Sequence, residues 1–362
     1  MDCFFNLKLD LIKTPKDIRN LSLKELIDFM PSIDEKPFRG KQIYEWLWTK
    51  NAHTFEEMTS ISKELREKLS NHFIIQPIAI EEYQKSQDGT IKNAVQLFDG
   101  NVVESVLIPT ESRTTACVSS QVGCSLDCSF CATARLKRMR NLTAAEIVDQ
   151  VVLIDKQSRE DFGRSLSNIV FMGMGEPLLN FNNVVDAIRK ISAPHPHGLG
   201  MSPRRITVST SGLPKMIEKL ADENLRVGLA LSLHSAIEEK RNQIMPFSHK
   251  FPISEILESL QYWYKKTGSR ITLEYIVWKG INDKKEDIDA LVKFSLQVPV
   301  KINLIEYNPI DDGIFQQAHD AAIESYIKAL ESREITVNVR RSRGKDIDAA
   351  CGQLANKNKI SQ

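Results

Sequence analysis

The sequence predicts an α/β protein whose core is a parallel sheet curled into an incomplete barrel of six βα units. A small helical module and a short antiparallel meander precede it. Three observations carry that expectation. From Arg113 onward, strand-like and helix-like runs alternate with short connections. Between Ile78 and Pro109, two Asp-Gly turns separate β-rich runs. Before residue 75, apolar stripes recur at helical spacing behind capping signals. The expected division is a helical module over 1–75, a meander region over 76–112, the barrel over 113–335 and a tail over 336–362.

In the first module, Ser22-Leu-Lys-Glu25 is a capping box that opens a helix through Phe29. Gly40 to Thr49 carries Ile43, Trp46 and Leu47 as a core-facing stripe. Ile61, Leu65 and Leu69 form another, with Glu64 and Lys68 one turn apart. Such a module suits either a folded RNA or a cover for the neighbouring domain. Asp88-Gly89 and Asp99-Gly100 then mark the turns of a three-strand meander. Its last strand, Val102 to Ile108, is apolar on both faces around Glu104, where a carboxylate is costly unless hydrogen-bonded or used. A structural salt bridge is the simplest reading of that acid.

Barrel strands are expected at Thr114–Ser119, Asn168–Met172, Arg205–Ser209, Arg226–Leu233, Arg270–Val277 and Lys301–Glu306. The matching helices are Ala144–Lys156 behind the box Thr143-x-x-Glu146, Asn183–Ile191, Lys215–Ala221, Ser254–Lys265, Glu286–Leu296 and Gln317–Ser332. Glu334–Val339 alternates like an edge strand, and a polar, mobile tail is expected after it. Barrels of this kind keep their chemistry on loops at the C-terminal ends of the strands.

Composition sets limits. With 42% hydrophobic and 26% charged residues among 362, the chain reads as a soluble globular protein. No apolar run approaches the ~18 residues of a membrane span. Met1 to Lys8 lacks the basic start and apolar core of an export signal. Six cysteines in so long a chain are no disulfide framework, so a reducing cytoplasm is expected. Net charge is only +1, yet Arg135, Lys137, Arg138 and Arg140 form one basic run and Arg340, Arg341, Arg343 and Lys345 another. These runs either hold phosphates or are solvated loops.

The chemistry gathers on Cys124-Ser-Leu-Asp-Cys128-Ser-Phe-Cys131, in the loop after the first barrel strand. Three thiolates there suit a four-iron, four-sulfur cluster with one open iron. That iron can chelate S-adenosylmethionine, whose reductive cleavage yields a 5′-deoxyadenosyl radical. The competing reading is structural zinc with Cys117 as fourth ligand. No histidine lies between His72 and His195, so zinc would need all four thiolates from this segment.

Further strand ends are polar. Met172-Gly-Met-Gly175-Glu176-Pro177 combines glycines that admit a ligand with an acceptor for an ammonium, or is simply a tight turn. Ser209-Thr-Ser-Gly212, Ser232-Leu-His234-Ser235 and Asn308 of Tyr307-Asn-Pro309 end later strands, where they could hold carboxylate, ribose or adenine. Cys351 lies among small residues in Asp346-Ile-Asp-Ala-Ala-Cys351-Gly-Gln, either inert or a nucleophile that swings inward. Cys117 sits seven residues before the cysteine run, and Cys3 has no partner nearby.

Together these residues resemble the radical S-adenosylmethionine RNA methyltransferases that methylate C2 of adenine, the bacterial dual-specificity 23S rRNA and tRNA enzymes of the RlmN family. The matching stretches are Cys117-Val-Ser-Ser-Gln-Val-Gly-Cys124, the cysteine run, Arg140-Asn-Leu, Met172 to Leu179, Ser209 to Gly212, Gly280-Ile-Asn-Asp283 and Gly344 to Leu354. Phe38-Arg-Gly-Lys-Gln42 and Glu57-Met58 extend the match into the first module. The chain departs from the family at Ala134, where relatives usually have glycine, and at the basic Arg135-Leu136-Lys137 that follows.

The resemblance implies a radical S-adenosylmethionine partial barrel with an RNA-binding accessory module. It implies that Cys124, Cys128 and Cys131 hold a [4Fe-4S] cluster. Gly175, Glu176, Ser209, Ser232, Leu233, His234 and Asn308 would contact S-adenosylmethionine, two molecules of which are used per turnover. Cys351 would carry the methyl group as S-methylcysteine, Cys117 would resolve an enzyme–RNA adduct and form a disulfide, and Glu104 would be the general base. Also implied are 23S rRNA and tRNA as partners, an electron donor such as flavodoxin, and a cytoplasmic monomer. Two alternatives stay open: the related C8-adenine methyltransferases of the antibiotic-resistance type, and a non-catalytic zinc-dependent RNA-binding protein.

Overall fold

The computed structural model describes residues 16–310 and 314–356, so Cys3 lies outside the described residues. The chain divides into two compact units, Met1–Gln76 and Pro77–Gln362. In the first, β1 (Lys16–Asp17), α1 (Leu23–Phe29), α2 (Phe38–Trp48), α3 (Lys63–His72) and β2 (Phe73–Ile74) follow in order. The capping box is complete: Glu25 N donates to Ser22 Oγ at 3.2 Å, and Ser22 N donates to Glu25 at 2.8 Å. Leu26, Ile43, Leu47, Leu65 and Leu69 are buried as their spacing requires. Trp46 departs from the expected stripe. It is half-buried, donates to Ser60 Oγ at 2.9 Å and lies under Lys50, while Trp48 fills the core instead. The Trp46 indole N–H thus has its partner at the surface of the module. A Cβ at Gly40 would stand 2.8 Å from the Ile27 backbone, so α1 and α2 can pack only because this residue has none.

The second unit is built on one ten-stranded sheet. Its strands are β3 (Ala79–Lys85), β4 (Ile91–Gln96), β5 (Val102–Pro109), β6 (Thr114–Cys117), then, after the short β7 (Gln121–Val122) and β8 (Arg140–Asn141), β9 (Asn168–Phe171), β10 (Ile206–Thr210), β11 (Gly228–Ser232), β12 (Ile271–Ile276), β13 (Val300–Ile305) and β14 (Thr336–Arg340). The order is β14-β13-β12-β11-β10-β9-β6-β5-β4-β3, with β6 and β9 to β14 parallel and β3 to β6 antiparallel. The two ends, β14 and β3, do not pair, which leaves the barrel open. The meander is therefore no separate region: β5 pairs with β6 and continues the barrel sheet.

Helices α4 (Ala144–Phe162), α5 (Phe181–Ser192), α6 (Pro214–Asp222), α7 (Glu238–Ile244), α8 (Ile253–Thr267), α9 (Lys285–Ser295) and α10 (Asp320–Glu331) form the connections. Alternation along the strands separates the two faces. In β10, Ile206 and Val208 are fully buried on one side, while Thr207 and Ser209 on the other are half-buried. Helix α7 escapes the sequence reading because Glu238 to Gln243 carries no apolar stripe, and its buried residues are Arg241 and Ile244 alone.

Candidate active site

The cysteine loop is clamped at its base. Gln121 pairs with Asn141 and Val122 with Arg140, so β7 and β8 form a small ribbon from which residues 123–139 emerge. Arg140 donates to both carboxylate oxygens of Glu146 at 2.7 and 2.8 Å and to Asp99 at 2.5 Å, with its guanidinium over Phe98. Glu146 also completes the capping box with Thr143 at the start of α4. Burial works against ionisation of Asp99, yet its bonds from Arg140 and Asn101 pull it down to about 2. Arg140 thus belongs to the scaffold and not to a free basic run. So do Arg343, which donates to the Asp88 and Pro109 carbonyls, and Lys345, paired with Glu306 at 2.6 Å.

The loop opens on a cavity of about 930 Å³, its mouth included. Cys124, Cys128, Cys131, Gly175, Glu176, Ser209, Ser232, His234 and Cys351 line it; Leu233, Asn308, Cys117 and Glu104 are not among its lining residues. Gly175 has φ +94°, and a Cβ there would meet Gln121 Cβ at 2.5 Å. Glu176 does not present bare oxygens to an ammonium. It accepts from Ser211 N at 2.8 Å and Leu178 N at 3.1 Å, and burial pushes its carboxyl above the usual range.

His234 is neutral, pulled down to about 3 by burial and by Arg241. Its Nδ1 accepts from Ile276 N at 3.3 Å, which leaves the proton on Nε2, and its ring meets Phe130 edge-on at 4.8 Å. Leu233 contributes backbone: its N–H donates to Glu274 O and its carbonyl accepts from Arg241 at 2.7 Å. Asn308 is buried and donates to the carbonyls of Glu306 and Cys351, while its Oδ1 has no hydrogen-bond partner.

Two important residues left little trace in the sequence. Arg241 ties the ends of β10 and β11 together through the carbonyls of Ser211, Ser232 and Leu233 at 2.5, 3.1 and 2.7 Å. It sits in the helix that had no apolar signal. Gln121 accepts from Glu176 N at 2.9 Å and donates to Asn141 at 2.8 Å, joining cavity floor to loop base. It lies inside the quoted Cys117–Cys124 stretch, which was the only available pointer.

Residues 341–356, the described part of the segment after β14, are docked, contrary to the mobile tail expected, because many of their backbone groups find partners. Gly344 N donates to Asp88 at 2.9 Å and Ser86 to Asp346 at 2.6 Å. Ala132 N donates to Gly352 O at 2.7 Å and Thr133 to Leu354 O at 2.6 Å, so the tail lies against the cysteine loop. Cys351 is open to the cavity yet surrounded by protein, with Arg340, Glu274 and Cys131 near it. Glu104 is buried, accepts from Ala355 N and Asn356 N, and stands 3.6 Å from buried Lys92.

Cys117 is buried, and burial and neighbouring Cys351 push its thiol up to about 12. It pairs with Val106 and Val170 within the sheet and does not line the cavity with the loop cysteines, so it does not complete a four-thiolate zinc set. The five described cysteines are all free thiols, without a disulfide.

Three loop thiols at the C-terminal end of the first parallel strand, facing polar strand ends across an open barrel, define a radical S-adenosylmethionine enzyme. Residues 118–294 match the Radical SAM superfamily, and residues 16–75 match the ribosomal RNA large subunit methyltransferase N-terminal domain. The chain is 65% identical over 342 residues to the probable dual-specificity RNA methyltransferase RlmN of Flavobacterium psychrophilum, covering 94% of this chain and 98% of that one. It is 43% identical to the dual-specificity RNA methyltransferase RlmN of Geotalea uraniireducens, covering 93% and 96%. A crystal structure of a radical SAM methyltransferase from Sphaerobacter thermophilus superposes with a TM-score of 0.87 at 38% identity, over 94% of this chain and 99% of that one. The chain belongs to the RlmN family of dual-specificity RNA methyltransferases.

The family's cofactors are a [4Fe-4S] cluster and S-adenosylmethionine, and the residues present fit them. Burial lifts the Cys124 thiol to about 11 and that of Cys128 well above its ordinary range. Such thiols become thiolates only beside strong positive charge, which an iron cluster provides. Leu126 N already points at Cys124 Sγ, 3.4 Å away. Asn308, just outside the cavity lining, is buried with an Oδ1 that has no hydrogen-bond partner, which fits a donor group on a bound ligand.

Proposed function

We propose that this enzyme methylates C2 of adenine in 23S rRNA and in tRNA by a ping-pong route, with Cys351 as methyl carrier, Cys117 as resolving thiol and Glu104 as general base. The observation that carries the reading is the position of Cys351, which the docked tail delivers to the cavity lined by Cys124, Cys128 and Cys131. When bound there, the cluster and S-adenosylmethionine supply a transferable methyl group and a hydrogen-abstracting radical.

The chain's own residues do the rest. Adenine C2 is an electron-poor carbon with no lone pair, so it cannot attack a sulfonium methyl; a thiolate can, and Cys351 takes that part. Cys117 then attacks the Cys351 sulfur, breaking its bond to the methylene joined to C2; that carbon keeps the electron pair and takes up a proton to become the methyl group of the released product. The two sulfurs are then a disulfide that reductant returns to thiols. Glu104 takes the C2 proton after giving up the tail amides it holds here. We assign Gly175, Glu176, Ser209, Ser232, Leu233, His234 and Asn308 to S-adenosylmethionine and the loop thiols to the cluster.

Among the described residues no helix is long and apolar enough to cross a membrane. RNA substrates and reducible thiols suit a cytoplasmic monomer supplied by a flavodoxin-type donor. The test is nucleoside mass spectrometry of rRNA and tRNA from strains with and without the gene. Loss of 2-methyladenosine is expected. Loss of 8-methyladenosine instead, or no change, would refute the assignment. Cys351→Ala should abolish methyl transfer to RNA in vitro.

A further inference from the structure

Helix α7 and the turn after it join two walls of the cavity, and neither has a part in the scheme above. At one end, Arg241 holds the carbonyls of Ser211, Ser232 and Leu233 at 2.5, 3.1 and 2.7 Å. Ser211 and Leu233 follow the last residues of β10 and β11, beyond the paired register. The guanidinium is 1% exposed, and its hydrogen-bond partners are these carbonyls and the Met245 sulfur rather than a carboxylate. Burying such a group is costly unless its donors are used. Here they tie one strand end to the next, which an apolar side chain could not do. The fit is close as well: a Cβ on Gly212 would stand 3.2 Å from Arg241 Nη2.

At its other end the same segment holds the cysteine loop. Ser129 N donates to Ile244 O at 3.0 Å, and Phe247 N donates to Asp127 Oδ1 at 2.8 Å. Asp127 and Ser129 flank Cys128 on either side. Leu126 of the loop is buried with Ile244, Met245 and Phe247, and Cys124 and Cys128 pack against that cluster. Residues 241–247 therefore reach from the ends of β10 and β11 to the loop that carries the three thiols.

We propose that residues 241–247 are a bracket that fixes the spacing between the cysteine loop and these strand ends, with Arg241 and Asp127 as positioning residues at its two ends. The inference rests on the assignment of Ser209, Ser232, Leu233 and His234 to S-adenosylmethionine above. A ligand chelated by the cluster at one end and held by strand ends at the other binds tightly only where that spacing is set beforehand. Asp127 serves as an acceptor and not as a charge, so an amide oxygen can take its place.

The test uses anaerobic, cluster-loaded enzyme without RNA. S-adenosylmethionine binding is read by calorimetry and backbone amide exchange by mass spectrometry. Arg241→Gln and Asp127→Ala should each keep their iron and sulfide, since the clamp at the loop base is intact, and each should weaken binding roughly tenfold. Asp127→Asn should restore the affinity. The double variant should be little worse than either single one, because one broken end already releases the spacing; two independent structural losses would multiply. Exchange at Ser129 should quicken in Arg241→Gln, although the hydrogen bonds of Arg241 go to the strand ends. Multiplying losses, unchanged exchange at Ser129, or an Asp127→Asn variant as weak as Asp127→Ala overturns the proposal. If Arg241→Gln does not fold, the exposed Asp127 decides: Asp127→Ala should quicken exchange at Ser211 and Leu233, and unchanged exchange there overturns the proposal. The exchange readout needs no S-adenosylmethionine. Coupled exchange in an enzyme whose residues 209–211 and 232–234 gain no protection from that ligand would remove the contacts assigned above and leave the bracket standing.

Discussion

Glu104 accepts the backbone N–H of Ala355 at 2.7 Å, a bond that spans 251 residues of chain and fastens the segment carrying Cys351. The same carboxylate faces Lys92 at 3.6 Å, with both side chains out of water. The proposed base and the docking of the methyl carrier therefore share one group. Glu104→Gln should free the tail, seen as faster amide hydrogen exchange at residues 349–356. It should also lower stability by roughly 3 kcal/mol in denaturant unfolding, since Lys92 is left as a buried, unpaired charge. Unaltered exchange would show that the tail is held by other contacts.

Cys117→Ala should arrest the reaction after RNA is joined to Cys351. A denaturing gel after turnover conditions would show a protein–RNA band, absent when Cys351→Ala is added. Free, unmodified protein as the sole species would remove Cys117 from the resolving step.

Gly175→Ala places a Cβ 2.5 Å from Gln121 at a φ of +94°. The loop must shift, breaking the Glu176 N–Gln121 bond that ties the cavity floor to the ribbon. A loss of about 1–3 kcal/mol is expected, with weaker S-adenosylmethionine binding by calorimetry.

His234 gives a pH signature. It is neutral when folded, its value lowered to about 3 from an ordinary 6.5. As pH falls below 6.5 the unfolded chain takes up a proton that the folded one refuses, so stability falls progressively toward about 3. His234→Gln should flatten that part of the stability profile, measured by urea unfolding at neutral and mildly acidic pH.

Arg140→Ala should loosen the base of the cysteine loop and reduce iron and sulfide content after anaerobic reconstitution. It should also release Asp99 from its low value, so the variant's deficit should shrink as pH falls from 3.8 toward about 2. Full cluster content in the variant would show that the clamp is dispensable.

Much of this molecule was legible from local pattern. The boxes Ser22–Glu25 and Thr143–Glu146 formed as written, because a cap needs only residues three apart. The alternating strands and helices after Arg113 gave the barrel, and the tight cysteine spacing marked its working loop. What local pattern missed are elements with no periodicity to show. β7 and β8 are two residues each, α7 is polar throughout its first six residues, and Trp46 is only half-buried, its indole N–H donating to Ser60.

The sequence by itself determined the class of chemistry, since three thiols on a short loop and a lone cysteine among small residues are covalent facts. Only the tertiary structure decided which groups meet. It brought Cys351 to the cavity lined by the loop thiols, tied Glu104 to the tail, and left Cys117 outside that cavity's lining. The reason is physical: those encounters join groups up to about 250 positions apart, brought together by sheet register and by backbone amides seeking acceptors, and no pattern within a short window records them.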